Sequence, residues 1–307
     1  MRMRRLVVAV TLLLSGLLIG RDLTARPSRT PVHIPPQGVS AQAPVALPNK
    51  AGSLKFAILG DFGDMTPGQL ATATQMAKTH AAFPFEIVVT TGDNLLGSER
   101  PQDFVNKFET PYKPLLDAGV TFHAALGNHD AQEQRYYKLF NMNDKVYYSF
   151  KVPHQDVRFF MLHSNYMDPD QVKWIENELK TATEAWKIVV LHHPPYSSSA
   201  THGSSLSLRA TLEPMFVKYG VSVVFTGHDH VYERVKPQQG ITYFVVGSGG
   251  ELRRGDIQKT ALTDVGFDTD NAFLVAEVID HTMYFNAISR TGTVVDSGII
   301  TARTAPK

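Results

Sequence analysis

From residue 54 onward, short apolar runs alternate with longer amphipathic stretches. Leu54 to Leu59, Glu86 to Thr91, Thr121 to Leu126, Val157 to Leu162, Lys187 to Leu191, Val221 to Phe225 and Ile241 to Val246 are brief and largely apolar, several of them rich in β-branched residues, so each predicts a buried strand. Tyr147 to Phe150 predicts one more. Between these runs, residues 68–80, 101–118, 170–181 and 206–219 predict helices; in the third, Trp174, Ile175 and Leu179 fall on one side. Residues 272–279, 282–289 and 293–300 predict closing strands. Strands alternating with helices and then a β-rich tail imply an α/β fold of two packed mixed β-sheets flanked by helices.

The punctuation carries the chemistry. Five of the strands run directly into polar loops: Gly60-Asp61, Gly92-Asp93, Gly127-Asn128-His129-Asp130, His192-His193-Pro194 and Gly227-His228-Asp229-His230. In α/β sheets the carboxyl ends of strands are where ligands bind. Asp61, Asp93, Asn128, His192, His228 and His230 together offer two carboxylates, one amide oxygen and three imidazoles. That set suits Mn, Fe or Zn better than Ca or Mg. Six ligands exceed one tetrahedral ion but serve two ions if a carboxylate bridges, and ion pairs about 3.5–4 Å apart recur in phosphatases and nucleases. His228 and His230 are two residues apart, so an extended chain turns both to one side. Taken singly, each motif has an ordinary reading: a Gly-Asp turn, an Asn-His-Asp helix cap, a surface pair of histidines. Their recurrence at one sheet edge points to a metal site.

Composition narrows the alternatives. The chain has 307 residues, 43% hydrophobic and 19% charged, which is ordinary for a globular domain with one sizeable core. With no cysteine, a thiolate nucleophile, a disulfide, a zinc–thiolate site and a lipidated-cysteine anchor are all excluded. Of the 30 basic and 29 acidic side chains, seven and one fall in residues 1–50, which leaves the body at a net −5. Such a body has no basic stripe for a phosphate backbone, so nucleic acid is not the expected partner. The stretch Gly247-Ser248-Gly249-Gly250 lacks the Lys and Ser/Thr of a P-loop.

The N-terminus reads as a targeting segment. Arg2, Arg4 and Arg5 precede an apolar run from Leu6 to Ile19, the pattern of a signal peptide and shorter than the ~20 residues of a comfortable bilayer span. A cut after Ala25 puts Leu23 where a small residue is preferred, so an uncleaved N-terminal anchor is the second reading. Arg4-Arg5 matches only part of a twin-arginine motif. Residues 26–50 hold six prolines and few large apolar residues and read as an extended linker, leaving 51–303 as the catalytic domain. The expected location is exported: periplasmic, extracellular or anchored to the outer face of the membrane.

The order Asp61-Phe62-Gly63, Gly92-Asp93-Asn94, Gly127-Asn128-His129-Asp130, His192-His193-Pro194-Pro195-Tyr196 and Gly227-His228-Asp229-His230-Val231-Tyr232-Glu233-Arg234 resembles the calcineurin-like metallophosphoesterases, and within them the purple acid phosphatase branch. The likeness spans roughly residues 54–300. It implies a metallophosphoesterase β-sandwich with two divalent or mixed-valence metal ions (Fe, Mn or Zn). On this resemblance Asp61 and His230 bind the first ion, Asp93 bridges, and Asn128, His192 and His228 bind the second. His129 lies beside the scissile phosphate as a clamp or acid, and His202, in Thr201-His202-Gly203, resembles a second substrate histidine, though a plain loop reading of 197–205 stays open. The implied activity is hydrolysis of a small-molecule phosphomonoester by a metal-bound hydroxide. The alternatives are a phosphodiesterase on the same scaffold and an exported binding protein with a degenerate site. One departure stands out: the purple members carry a tyrosine three residues after the bridging Asp, and here that residue is Leu96. Asp64 is a rival ligand, read as a loop acid.

Overall fold

The computed structural model describes residues 44–258 and 260–305. The predicted targeting segment of residues 1–25 and most of the 26–50 linker lie outside the described residues. Two mixed sheets form. One has six strands in the order β13-β12-β11-β1-β2-β3 and the other seven in the order β10-β8-β9-β7-β6-β5-β4. The first takes β1 (Leu54–Leu59), β2 (Ile87–Thr90), β3 (Thr121–Ala124), β11 (Ala272–Ile279), β12 (Thr282–Ser289) and β13 (Val294–Thr301). The second takes β4 (Tyr148–Lys151), β5 (Val157–Met161), β6 (Trp186–Val190), β7 (Val223–Thr226), β8 (Tyr232–Gln238), β9 (Ile241–Val246) and β10 (Thr263–Phe267). Pairing is parallel for β1–β2–β3 and for β5–β6–β7–β9, and antiparallel elsewhere.

Every residue of β1, β2, β7 and β9 is buried, as continuous apolar runs require when both faces of a sheet are covered. The inner faces meet in an aromatic core, where Phe56 packs edge-on against Phe159 at 5.3 Å between ring centroids and Phe244 against Phe285 at 5.1 Å. Over the outer face of the second sheet, Ile175 and Leu179 of α4 (Pro169–Thr181) and Leu208, Leu212 and Phe216 of α5 (Leu206–Tyr219) join Val189, Val224 and Tyr243. The helices begin where their sequences say. The side chain of Thr66 accepts from Gln69 N ahead of Pro67 in α1 (Pro67–Ala82), and that of Asp168 accepts from Gln171 N ahead of Pro169. Gly220, at φ 74°, ends α5 in the left-handed turn that glycine allows.

Three differences from the sequence expectation have physical causes. The helix expected over 101–118 is α2 (Pro101–Phe104) and α3 (Thr110–Asp117) joined by a π-helical turn, Val105–Glu109. Pro111 has no N–H and would press on the Lys107 carbonyl, which instead accepts from Gln69 Nε2. β8 and β10 were not expected, because their residues are polar. Buried Glu233 accepts from Ser198 N and Thr263 Oγ1, and Arg234 pairs with Asp264 and Asp296, so charge pairing replaces an apolar pattern. Finally, the end of the linker is bound to the domain: Val45 N donates to Ser297 Oγ, and Asn49 N and Lys50 N donate to the Glu277 carboxylate.

Candidate metal centre

The parallel strands of both sheets bring their carboxyl ends together. Asp61 follows β1, Asp93 follows β2 and Asn128 follows β3, while His192 follows β6 and His228 and His230 follow β7. Past the strand ends the ladders continue through Asp61 N to Gly92 O at 3.0 Å and Gly227 N to His192 O at 3.0 Å. The Asp61 carboxylate accepts from His228 N at 3.0 and 3.1 Å, which ties one sheet's loop to the other's. Asp61, Asp93 and His228 adopt φ of 54°, 51° and 69°. Left-handed backbone at a non-glycine residue costs on the order of 1–3 kcal/mol and gathers at functional sites.

Two donor clusters result. Ligand atoms of Asp61, Asp93 and His230 all lie within 4.8 Å of one another. Asn128 Oδ1 lies 3.0 Å from His192 Nε2 and 2.9 Å from His228 Nδ1. Asp93 Oδ1 is also 3.5 Å from His192 Nε2, so this carboxylate reaches both clusters. Close backbone makes room for the carboxylates. A Cβ on Gly127 would sit 2.0 Å from Asp93 Oδ1, and one on Gly227 would sit 2.4 Å from Asp61 Oδ2. A cavity of about 550 Å³, lined by Arg135, Lys145 and Trp174 among others, includes none of these six residues.

The donors fit a cation. His192 Nδ1 is 2.9 Å from the Thr91 carbonyl oxygen, which can only accept, so Nδ1 carries the proton and Nε2 presents a lone pair. That lone pair faces Asn128 Oδ1, also an acceptor unless the amide is turned; between two acceptors a cation is the natural partner. Burial pushes the Asp61 carboxyl well above its usual range, with the neighbouring Asp93 adding to it. Burial likewise raises Asp93, against a backbone N–H and the imidazole of His129. Burial, then neighbouring imidazoles, holds His192 far below its ordinary value and brings His228 down to about 3. Burial, then the Arg253 guanidinium, brings His230 down to about 4. Neutral imidazoles are ready to ligate, and a bound cation would return both carboxyls to their anionic form.

The two histidines expected to meet substrate are exposed at this edge. His129 N donates to Asp93 Oδ1 at 2.9 Å, and the His202 ring lies 4.3 Å from that of His228, centroid to centroid. Asp64 Oδ1 accepts from Thr66 N and Oγ1 at the start of α1, and Asp64 is absent from the first donor cluster. Sequence reasoning missed three supporting residues. His193 puts its ring 4.3 Å from that of His228 and Nδ1 2.9 Å from Ser164 Oγ; burial, then His202, brings it down to about 4. Asp130 accepts from Asn94 N, Leu95 N, Gly127 N and Gln134 Nε2, clamping the loops after β2 and β3 together. Asp229 accepts from Ser197 Oγ at the root of the loop that bears His202. Asp130 and Asp229 stand inside the motifs themselves, and the signal for them was their position beside the ligands.

A two-sheet α/β domain with carboxylates and imidazoles gathered at its strand ends is the framework of a metallophosphoesterase. The family model described as calcineurin-like phosphoesterase matches residues 54–232, and the chain belongs to that family. Within it the chain is similar to the purple acid phosphatases. It is 25% identical over 247 residues to tartrate-resistant acid phosphatase type 5 of Rattus norvegicus, covering 65% of this chain and 73% of that protein. It is 27% identical over 248 residues to purple acid phosphatase 17 of Arabidopsis thaliana, covering 69% and 72%. In fold it is similar to purple acid phosphatase PPD1 from yellow lupin (Lupinus luteus) seeds, with a TM-score of 0.70 and 20% identity over 83% of this chain and 55% of that one. The chain is a phosphoesterase of this type.

Proposed function

We propose that the protein is a dinuclear-metal phosphomonoesterase, with Asp61, Asp93 and His230 at one ion, Asn128, His192 and His228 at the other, and Asp93 shared. The observation that supports this most is the position of Asp93, within reach of both donor clusters. Two ions there would lower the pKa of water and offset charge on the phosphoryl oxygens. The chain's own groups do the rest. His129, fixed by its backbone to Asp93, faces the phosphoryl group and steadies its charge in the transition state. His202, over His228, hands a proton to the leaving alkoxide. The monoester preference follows the likeness to proteins named acid phosphatases. In the same reading the basic and apolar stretch of residues 1–25 exports or anchors the protein, and the partner is a small phosphoester.

The test joins elemental analysis to turnover. Exhaustive chelation should abolish hydrolysis of an aryl phosphate, and Mn, Fe or Zn should restore it, with a higher kcat/KM for the monoester than for the matching bis-aryl diester. Full activity in verified metal-free protein overturns the metal mechanism. A higher kcat/KM for the diester makes the enzyme a phosphodiesterase, and no turnover by metal-filled protein makes it a binding protein.

A further inference from the structure

The stretch that follows β9 wraps the first donor cluster. Gly249 N donates to Gly60 O at 2.9 Å, Gly250 N and Glu251 N donate to Asp61 O at 2.9 and 3.1 Å, and Arg253 N donates to His230 O at 3.0 Å. Arg253 is thereby stitched to the loops of two candidate ligands. Arg253 is half-buried, and its Nη1 is buried with no hydrogen-bond partner. Among the described residues Arg253 forms no ion pair and its side chain makes no hydrogen bond, whereas half-buried Arg135, Arg209 and Arg303, also without ion pairs, each donate to a backbone carbonyl and Arg158, Arg234 and Arg290 each pair with a carboxylate. A buried, unmatched N–H on a charged group is costly, so an anion is the expected partner.

The surroundings say where that anion sits. Arg253 is bonded through its own N–H to the carbonyl of His230, a candidate ligand of the first cluster, and Asp256 lies three residues further on. Asp256 in turn accepts from Thr201 Oγ1 and Ser199 Oγ, on the loop that carries His202. The segment from Arg253 to Asp256 therefore bridges the first donor cluster and the His202 loop.

We propose that Arg253 binds the non-bridging oxygens of the substrate's phosphoryl group and so sets the preference for monoesters over diesters. This rests on the phosphomonoesterase reading above. A planar guanidinium matches phosphate with paired N–H donors, and a monoester dianion presents one more free oxygen and one more negative charge than a diester. The group is a substrate-binding residue rather than a metal ligand.

The experiment compares wild type, Arg253→Gln and Arg253→Lys at matched metal content, with Tm recorded for each. Binding of inorganic phosphate is measured by calorimetry, and kcat/KM for an aryl monoester and its bis-aryl diester. Arg253→Gln should weaken phosphate binding about 10- to 100-fold, as loss of a charge-assisted pair implies, and lower monoester kcat/KM by a similar factor with much less effect on the diester. Arg253→Lys should fall between, keeping the charge without the fork. Unchanged phosphate affinity and an unchanged monoester-to-diester ratio overturn the proposal. So does loss of Tm in both variants with phosphate affinity retained per folded molecule, which would make Arg253 a brace for Asp256. A wild type that binds phosphate through Arg253 yet shows no metal-dependent hydrolysis overturns the parent reading alone.

Discussion

His192 Nδ1 donates to the carbonyl oxygen of Thr91 at 2.9 Å, and this one bond decides which face of the ring looks into the site. Thr91 is the residue just after β2, two before Asp93, so the loop carrying one candidate ligand also sets the tautomer of another. Support of this kind is typical of metal-binding histidines.

Metal stoichiometry should follow from that geometry. His192→Ala removes a donor from one cluster, so one ion should be lost. Asp93→Ala removes the carboxylate that reaches both clusters, so both ions should be lost. Asp93→Ala should also be slower than His202→Ala, whose loss as a general acid costs typically ~10²–10⁴-fold. Retention of more activity by Asp93→Ala than by His202→Ala would show that the assignment is wrong.

Close backbone approach yields a second expectation. Gly127→Ala places a methyl 2.0 Å from Asp93 Oδ1, so Asp93 must move; the strain is about 1–3 kcal/mol and falls on the ligand. Gly119 is the control: its φ is +83° and nothing lies within 4 Å of its Cβ. Gly119→Ala should lower Tm and leave metal content intact, whereas Gly127→Ala should lower metal content. Equal metal content in the two variants would mean that Gly127 does not hold Asp93 in place.

The legible and illegible parts of this molecule separate by physics. β1, β2, β7 and β9 were legible because burial on both faces demands unbroken apolar runs. The six candidate ligands were legible because each stands in a short Gly- or His-bearing motif just past a strand end, and the structure does gather them. β8 was not, because Glu233 and Arg234 are paired with groups distant in sequence, and no local pattern announces Asp296 as a partner. Arg253 was hidden in the same way. Its meaning depends on a hydrogen bond to His230 and on an unmatched buried N–H, neither of which has a sequence period. The π-helical turn went unread, although Pro111 and Pro114 both stand inside the helix expected over 101–118.

Acid should weaken the fold partly through His123. This residue of β3 stacks on Phe150 with ring centroids 3.9 Å apart, its Nδ1 is buried without a partner, and burial brings it down to about 4. The unfolded chain titrates near 6.5. Between these values the unfolded state binds more protons, so the stabilisation present above about 6.5 is lost as pH falls toward 4. His123→Phe removes the titration and keeps the stack. Its Tm should fall less steeply than that of wild type from pH 6.5 to 4; a gap of roughly 2–4 °C corresponds to about 1 kcal/mol at this size. Parallel Tm curves would assign the acid sensitivity to other groups.

Leu96 sets the last expectation. Leu96 N donates to Gly63 O at 2.8 Å, which lays this loop alongside the Asp61-Phe62-Gly63 turn at the first donor cluster. The purple members resembled by the chain carry a tyrosine at the corresponding place. Leucine has no lone pair, so on the proposed assignment Asp61, Asp93 and His230 would be the protein donors there, and the smaller anionic charge would favour a divalent ion over a trivalent one. Wild type loaded with iron under air should therefore lack the intense visible band of an iron–phenolate pair. Leu96→Tyr should gain that band, because the loop already runs beside the site and the side chain at this position is only half-buried. A band in wild type that disappears on mutating another tyrosine would reveal a ligand outside the six. An iron-filled, folded Leu96→Tyr protein with no band would show that this side chain turns away from the ion, so that the loop after Asp93 departs from the purple type in shape as well as in sequence.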